Sequence, residues 1–140
     1  MRKFFLLPFL FIGFNIHAQI VGQWTTIDDN TGKPKSIVEI TVRNNKYYGK
    51  VIKLLNPSKP NPVCDQCAKD DARYNQKVLG MEILVDLVKD DDEFVDGRIL
   101  DPENGKVYRC KIWIEDGDLK LRGYLGPFFR TQTWKKSVSN

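Results

Sequence analysis

The stretch Tyr108-Arg109-Cys110-Lys111-Ile112-Trp113-Ile114-Glu115-Asp116-Gly117-Asp118-Leu119-Lys120-Leu121-Arg122-Gly123-Tyr124-Leu125 decides the fold. In its first half Tyr108, Cys110, Ile112 and Ile114 share one face of an extended chain, with Arg109, Lys111 and Trp113 on the other. In its second half Leu119, Leu121, Gly123 and Leu125 oppose Lys120, Arg122 and Tyr124. Successive side chains of a strand point to opposite faces, so a period of two marks a half-buried strand. The polar Glu115-Asp116-Gly117-Asp118 between the halves is a tight-turn signal, and the whole reads as a hairpin.

The same grammar extends in both directions. Turn signals recur at Asp29-Asn30-Thr31-Gly32, Asn44-Asn45, the acidic run Asp90 to Glu93, and Asp101-Pro102-Glu103-Asn104-Gly105. Runs rich in Val, Ile, Leu, Tyr and Phe lie between them. Eight strands are predicted, over residues 20–27, 36–43, 46–54, 80–88, 93–100, 106–115, 118–125 and 128–136. The only helix candidate, around Cys67 to Gln76, is short and polar. Eight antiparallel strands must cover their edges, and closing the sheet on itself removes them. The expected fold is therefore all-β, an eight-stranded antiparallel up-and-down barrel in one domain over residues 19–140. At eight strands the interior either fills with side chains or admits one small ligand. Residues 55–79 break the rhythm, a long connection holding Pro57, Pro60 and Pro62. Loops of that length in compact domains are usually functional or disordered, or mark a misassigned element.

The first residues read as an address. Arg2 and Lys3 precede an apolar run from Phe4 to Phe14, and Ile16-His17-Ala18 ends on a small residue. A basic start, an apolar stretch and a small residue at the cut are the parts of a secretory signal peptide, here 1–18. A stable membrane span is not expected, because the run is shorter than about 20 residues and contains Pro8. The exported chain, periplasmic or extracellular, would begin at Gln19. Without Arg2 and Lys3 the 22 basic residues become 20 against 18 acidic ones, a net of +2. So even a balance gives no footprint for nucleic acid.

The only histidine, His17, lies in that leader. Its loss removes imidazole triads, imidazole bases and imidazole metal ligands together. Cys64-Asp65-Gln66-Cys67 leaves three readings. A redox pair normally opens a helix after a strand, whereas this one follows a Pro-rich loop with Asp65 between the thiols. Zinc would need a carboxylate to complete three cysteines. A staple remains, and disulfides persist in exported proteins. A Cys64–Cys67 ring removes about 2 kcal/mol of unfolded-chain entropy, against about 4 for a ring reaching Cys110. Geometry outranks that difference. Cys110 alternates with Tyr108 and Ile112 on the inner face, so the expected pair is Cys64 with Cys67, and Cys110 is a small buried hydrophobe.

The acidic turns offer oxygen ligands without the Asp-x-Asp-x-Asp-Gly pattern of a calcium loop. Glu39 and Glu82 lie in strands, where carboxylates usually face water. No catalytic residue, metal or cofactor is expected. Small-molecule pockets are apolar with a few placed polar groups, and the aromatic richness of the chain points to Trp24, Tyr48, Tyr108, Arg122 and Tyr124 as ligand-binding residues.

Gly22-Gln23-Trp24 at the head of the first strand, with an Arg near the end of the last, resembles the lipocalin arrangement. There the Trp closes one end of the barrel and the Arg, here Arg130 or Arg122, lies across it. The Thr-Asp-Tyr motif of lipocalins is absent. A second resemblance covers most of the chain: Gly22-Gln23-Trp24, Lys35 to Ile40, Tyr48-Gly49-Lys50-Val51-Ile52, Cys64 to Cys67, Gly97 to Tyr108, Leu121-Arg122-Gly123-Tyr124 and Thr131-Gln132-Thr133-Trp134. These resemble the secreted bacterial family numbered 2147 among domains of unknown function. That resemblance implies a lipocalin-like barrel and export. The expected function is non-catalytic binding of a small apolar or amphipathic ligand. The alternative is a solid barrel whose surface binds another envelope protein or a cell-wall component.

Overall fold

The computed structural model describes residues 3–10 and 20–138. Residues 3–10 are exposed and without regular structure, and the expected cut after Ala18 lies outside the described residues. The eight expected strands form: β1 (Gly22–Ile27), β2 (Pro34–Arg43), β3 (Lys46–Leu54), β4 (Glu82–Asp90), β5 (Glu93–Leu100), β6 (Val107–Glu115), β7 (Asp118–Leu125) and β8 (Phe128–Lys136). They pair antiparallel in chain order, and β8 returns to β1, giving a closed up-and-down barrel. No helix forms among the described residues, and the Cys67–Gln76 segment is a series of turns.

Boundaries shift by up to two residues for local reasons. β1 starts at Gly22 because Ile20 is fully buried beside it, its carbonyl accepting the Trp24 indole N–H at 2.8 Å. β4 starts at Glu82 because Gly80, at φ 88°, still belongs to the turn. The narrow turns sit together at one end. Asn44-Asn45 and Asp116-Gly117 take positive φ at both positions, as two-residue hairpins require.

The interior has two unlike halves. At the end of the narrow turns Trp24, Ile40, Tyr47, Leu87, Phe94 and Ile112 are buried in one cluster. Tyr47 and Phe94 meet edge to face at 4.8 Å. Gly97 makes room there, since a Cβ on it would stand 2.5 Å from Leu87 Cδ2. Small residues facing large ones fill a barrel without strain. Trp24 thus plugs this end as the resemblance implied, but neither arginine lies across it. Arg122 faces outward over Trp113, and Arg130 reaches Asp29 at the opposite end. The other half is hollow.

The long connection, residues 55–81, folds against the hollow end. Val63 bridges Lys77, and the Cys64 N–H donates to the Gln76 carbonyl at 2.9 Å. Cys64 and Cys67 are bonded as a disulfide with Cα atoms 5.4 Å apart, and both are buried. The β5–β6 turn packs onto this staple. Gly105 has φ 73°, and a Cβ on it would lie 1.8 Å from the Gln66 carbonyl oxygen. Gly105→Ala is therefore expected to cost at least about 2 kcal/mol in denaturant unfolding. Gly117→Ala, at φ 80° in open space, is expected to cost about 1 kcal/mol. Equal losses would mean that the close contact contributes nothing.

Candidate functional site

The hollow half is a cavity of about 970 Å³ that opens between the β1–β2 loop, the 55–81 connection, the β5–β6 turn and the β7–β8 turn. Its floor is the top of the packed half, where Val51, Leu121 and Trp134 are buried yet line it. Its walls are Leu54, Ile83, Ile99, Tyr108 and Gly123. Strand parity accounts for this. Ile99 pairs with Tyr108, Leu121 with Gln132 and Gly123 with Arg130, so these rows all face inward. Gly123 leaves the volume that a larger side chain would occupy.

Polar groups are few and tied together. On one wall the Thr26 and Ser36 hydroxyls hydrogen-bond at 2.6 Å, both buried. On another the Trp134 indole donates to Gln132 Oε1 at 3.3 Å, and the Gln132 amide donates to Asp29 Oδ2 at 2.9 Å. Arg130 meets the same carboxylate oxygen at 3.4 Å, with its side chain 74% exposed. This chain of groups runs from floor to rim. At the rim the Tyr108 hydroxyl accepts from Asn104 at 3.1 Å, and Lys35 pairs with Glu103 at 3.0 Å. Neighbouring Asp28 accepts the Asn30 and Thr31 backbone N–H groups, and the Thr31 bond leads the causes that hold its carboxyl below the usual value.

The five expected ligand residues are scattered. Tyr108 lines the cavity. Trp24 does not: it is 3% exposed and packed at the opposite end. Tyr48, Arg122 and Tyr124 face outward. Tyr47 takes the inward position of its strand, so Tyr48 lies outside, under the Arg43 guanidinium at 3.5 Å and hydrogen-bonded to Asp86. Arg122 stacks on Trp113 and Phe129. Tyr124 packs near Phe129. Asp29, Gln132, Gly123 and Phe128 line the cavity and were not expected to. The signal for Gly123 was present, because it shares a face with Leu121, and Gln132 shares the parity of Trp134.

Neither cysteine reading other than the staple finds its geometry. The disulfide opens no helix, and no group of three His, Cys, Asp or Glu able to hold a metal occurs among the described residues. Burial pushes the Cys110 thiol up to about 12, which keeps it protonated and unreactive at neutral pH. Glu82 accepts a two-pronged bond from Arg43 on the outer face, and Glu39 accepts one from Gln23.

A closed up-and-down barrel, packed at one end and hollow at the other, has lipocalin-like architecture. It is similar to a solved structure described as "Protein HP1028 from the human pathogen Helicobacter pylori belongs to the lipocalin family". The two share 25% identity with a TM-score of 0.72, over 85% of this chain and 83% of that one. The chain belongs to DUF2147, the family described as "Uncharacterized protein conserved in bacteria", whose profile matches residues 22–136. No curated protein sequence matches it significantly.

One clamp holds the mouth loop to the barrel. Arg73 grips Asp71 through Nε and Nη2, and its Nη1 donates to the Glu82 carbonyl of β4 at 3.1 Å. The Arg73 bond is the main reason the Asp71 carboxyl titrates below the usual value. A depressed folded pKa contributes stability above the unfolded value of about 3.9 and loses it as pH falls through the folded one. Acidification below about pH 4 is therefore expected to lower the hydrogen-exchange protection factors, taken against the intrinsic rate at each pH, of the Cys64 and Val78 amides, which pair with Gln76 and Pro62. In Arg73→Leu these amides should exchange faster at neutral pH and lack that acid-dependent step. An unchanged profile in the variant would remove the clamp from the account.

Proposed function

We propose that this protein is an exported, non-catalytic carrier of a small amphipathic ligand. The observation that supports this reading is the one-ended cavity, with an apolar floor and walls and its charges confined to the rim. Pockets for small molecules commonly fall at about 300–1,000 Å³, which the cavity matches. An acyl or similar apolar group would lie against Leu54, Ile83, Ile99 and Leu121. Each CH₂ taken from water there is worth about 0.8 kcal/mol. A polar head would remain at the mouth, within reach of Tyr108, Gln132 and the Arg130–Asp29 pair. The stapled connection would serve as a rigid wall of the entrance, and its disulfide supports an oxidising location outside the cytoplasm. The absence of imidazole after residue 17 and the high thiol pKa support binding over chemistry. The solid-barrel alternative is less favoured, because only the plugged half is filled.

Gly123 gives a direct test. Its φ is not in the positive region, and an added Cβ meets nothing nearer than Tyr108 Cβ at 3.6 Å. Gly123→Leu should fold normally and project into the cavity. Its affinity for anilinonaphthalene sulfonate is expected to fall by at least about tenfold, with an unfolding temperature equal to or above that of the parent. Unchanged probe affinity in a folded Gly123→Leu would place binding elsewhere and overturn the proposal.

A further inference from the structure

The outer wall of β5 to β8 carries an arrangement that the barrel itself does not need. Arg98 on β5 stands directly opposite Arg109 on β6, and Lys111 on β6 directly opposite Arg122 on β7. Like charges facing each other across a strand pair are destabilising. One more cation, Lys120, follows in the next row opposite Trp113. Five acidic groups share this wall or its edge. Asp86 takes Arg98, Glu93 takes Lys111 at 3.3 Å, Asp118 takes Lys135 at 2.7 Å, Glu115 accepts the Trp113 indole N–H at 3.3 Å, and Asp96 lies beside Gly97. Arg109, Lys120 and Arg122 have no carboxylate partner among the described residues. Lys120 and Arg122 donate instead to the Thr133 and Thr131 hydroxyls at 2.7 and 3.0 Å, and the Arg122 guanidinium lies 5.1 Å from the Trp113 ring and 4.7 Å from that of Phe129.

This wall ends at the mouth in a different chemistry. From Gly123 to Phe129 the chain carries no charge, and it turns at Gly126-Pro127. At that tip Leu125, Phe128 and Phe129 are 52%, 75% and 62% exposed. Large apolar side chains grouped at a projecting turn mark an interaction site rather than ordinary surface. Toward the mouth, Lys120 and then Arg122 with Lys111 come first, Arg109, Tyr124 and Phe129 share the next row, and Leu125 and Phe128 end the wall at the tip. That is the order met on entering a bilayer, where cations meet phosphates, aromatic rings sit among headgroups, and apolar groups reach the acyl chains.

We propose that the β5–β8 wall and the β7–β8 hairpin tip dock on an anionic lipid surface. The tip inserts Phe128, Phe129 and Leu125, while Arg109, Arg122 and Lys120 meet lipid phosphates and relieve the facing-charge repulsion. A soluble polyanion would satisfy the cations but leave the apolar tip unused. In this pose the cavity mouth, which Phe128 and Phe129 also line, opens at the membrane. An amphipathic guest would then pass between leaflet and barrel without crossing water. That last step rests on the carrier reading; the docking does not.

The test is co-sedimentation of the chain from Gln19 onward, which holds all eight strands and all the buried side chains. Vesicles of phosphatidylcholine alone are compared with vesicles containing phosphatidylglycerol. Binding is expected to the anionic vesicles and to weaken with salt. The double variant Phe128→Ser/Phe129→Ser is expected to lose at least about tenfold in affinity, with unchanged circular dichroism, and Arg109→Gln about fivefold. Gly123→Leu is expected to dock as the parent does, so a failed carrier reading and a failed docking surface are told apart. Absent binding, equal binding to neutral vesicles, an unaffected tip variant, or capture by an anionic polysaccharide in place of vesicles would each overturn the proposal.

Discussion

Between β1 and β8 two residue pairs, Trp24 with Lys136 and Thr25 with Lys135, join the last strand to the first, and the Ser137 N–H adds a bond to the Gln23 carbonyl at 3.0 Å. Every other seam is longer; β7 and β8 pair from Leu119 with Trp134 to Leu125 with Phe128. A backbone hydrogen bond contributes about 1 kcal/mol net, so the short seam would hold weakly alone. Burial of a large side chain is worth about 1.5–3 kcal/mol. Trp24 and Trp134, one from each side of the seam, are 3% and 2% exposed. The barrel is therefore closed mainly by the tryptophans behind the seam. With closure come the two properties on which function depends: no free edges, and an interior screened from water on all sides but one.

The division of that interior follows from side-chain size along the strands. At the plugged end Tyr47 meets Phe94, Trp24 is buried in the same core, and Gly49 and Gly97 are placed where their neighbours need the space. At the open end the inward positions hold Ser36, Thr26, Gly123 and Gln132, which are too small or too polar to fill it. The polar ones are bonded to one another, so exposing them to a ligand or to water leaves no buried group unsatisfied. The stapled connection completes the mouth with backbone fixed by Cys64–Cys67, by the Arg73 clamp and by the close seat of Gly105 on Gln66.

Much of this was legible in the chain. The alternation from Tyr108 to Leu125 gave the strand faces correctly, and the turn residues set eight strands and an up-and-down order. The disulfide followed from the inward parity of Cys110. The site was less legible, for two physical reasons. Aromatic identity says nothing about which end of a barrel a residue occupies, so Trp24 was placed at a ligand when it is a plug. Facing in β3 depends on the register after Asn44-Asn45, which puts Tyr47 inside and Tyr48 outside. The rim group was beyond local reading, because Asp29 meets Arg130 and Gln132 only across the closure of the barrel, 101 and 103 residues apart in sequence.

The central claim is that the open half of the barrel, and not its surface, receives an apolar guest. Backbone amide shifts recorded by NMR during titration with dodecanoate test it most directly. The account predicts perturbations concentrated at Leu54, Ile83, Ile99, Gly123 and Gln132, with Ile40, Leu87 and Phe94 unmoved. Shifts confined to outward-facing strand positions, or none at saturating dodecanoate, would contradict it.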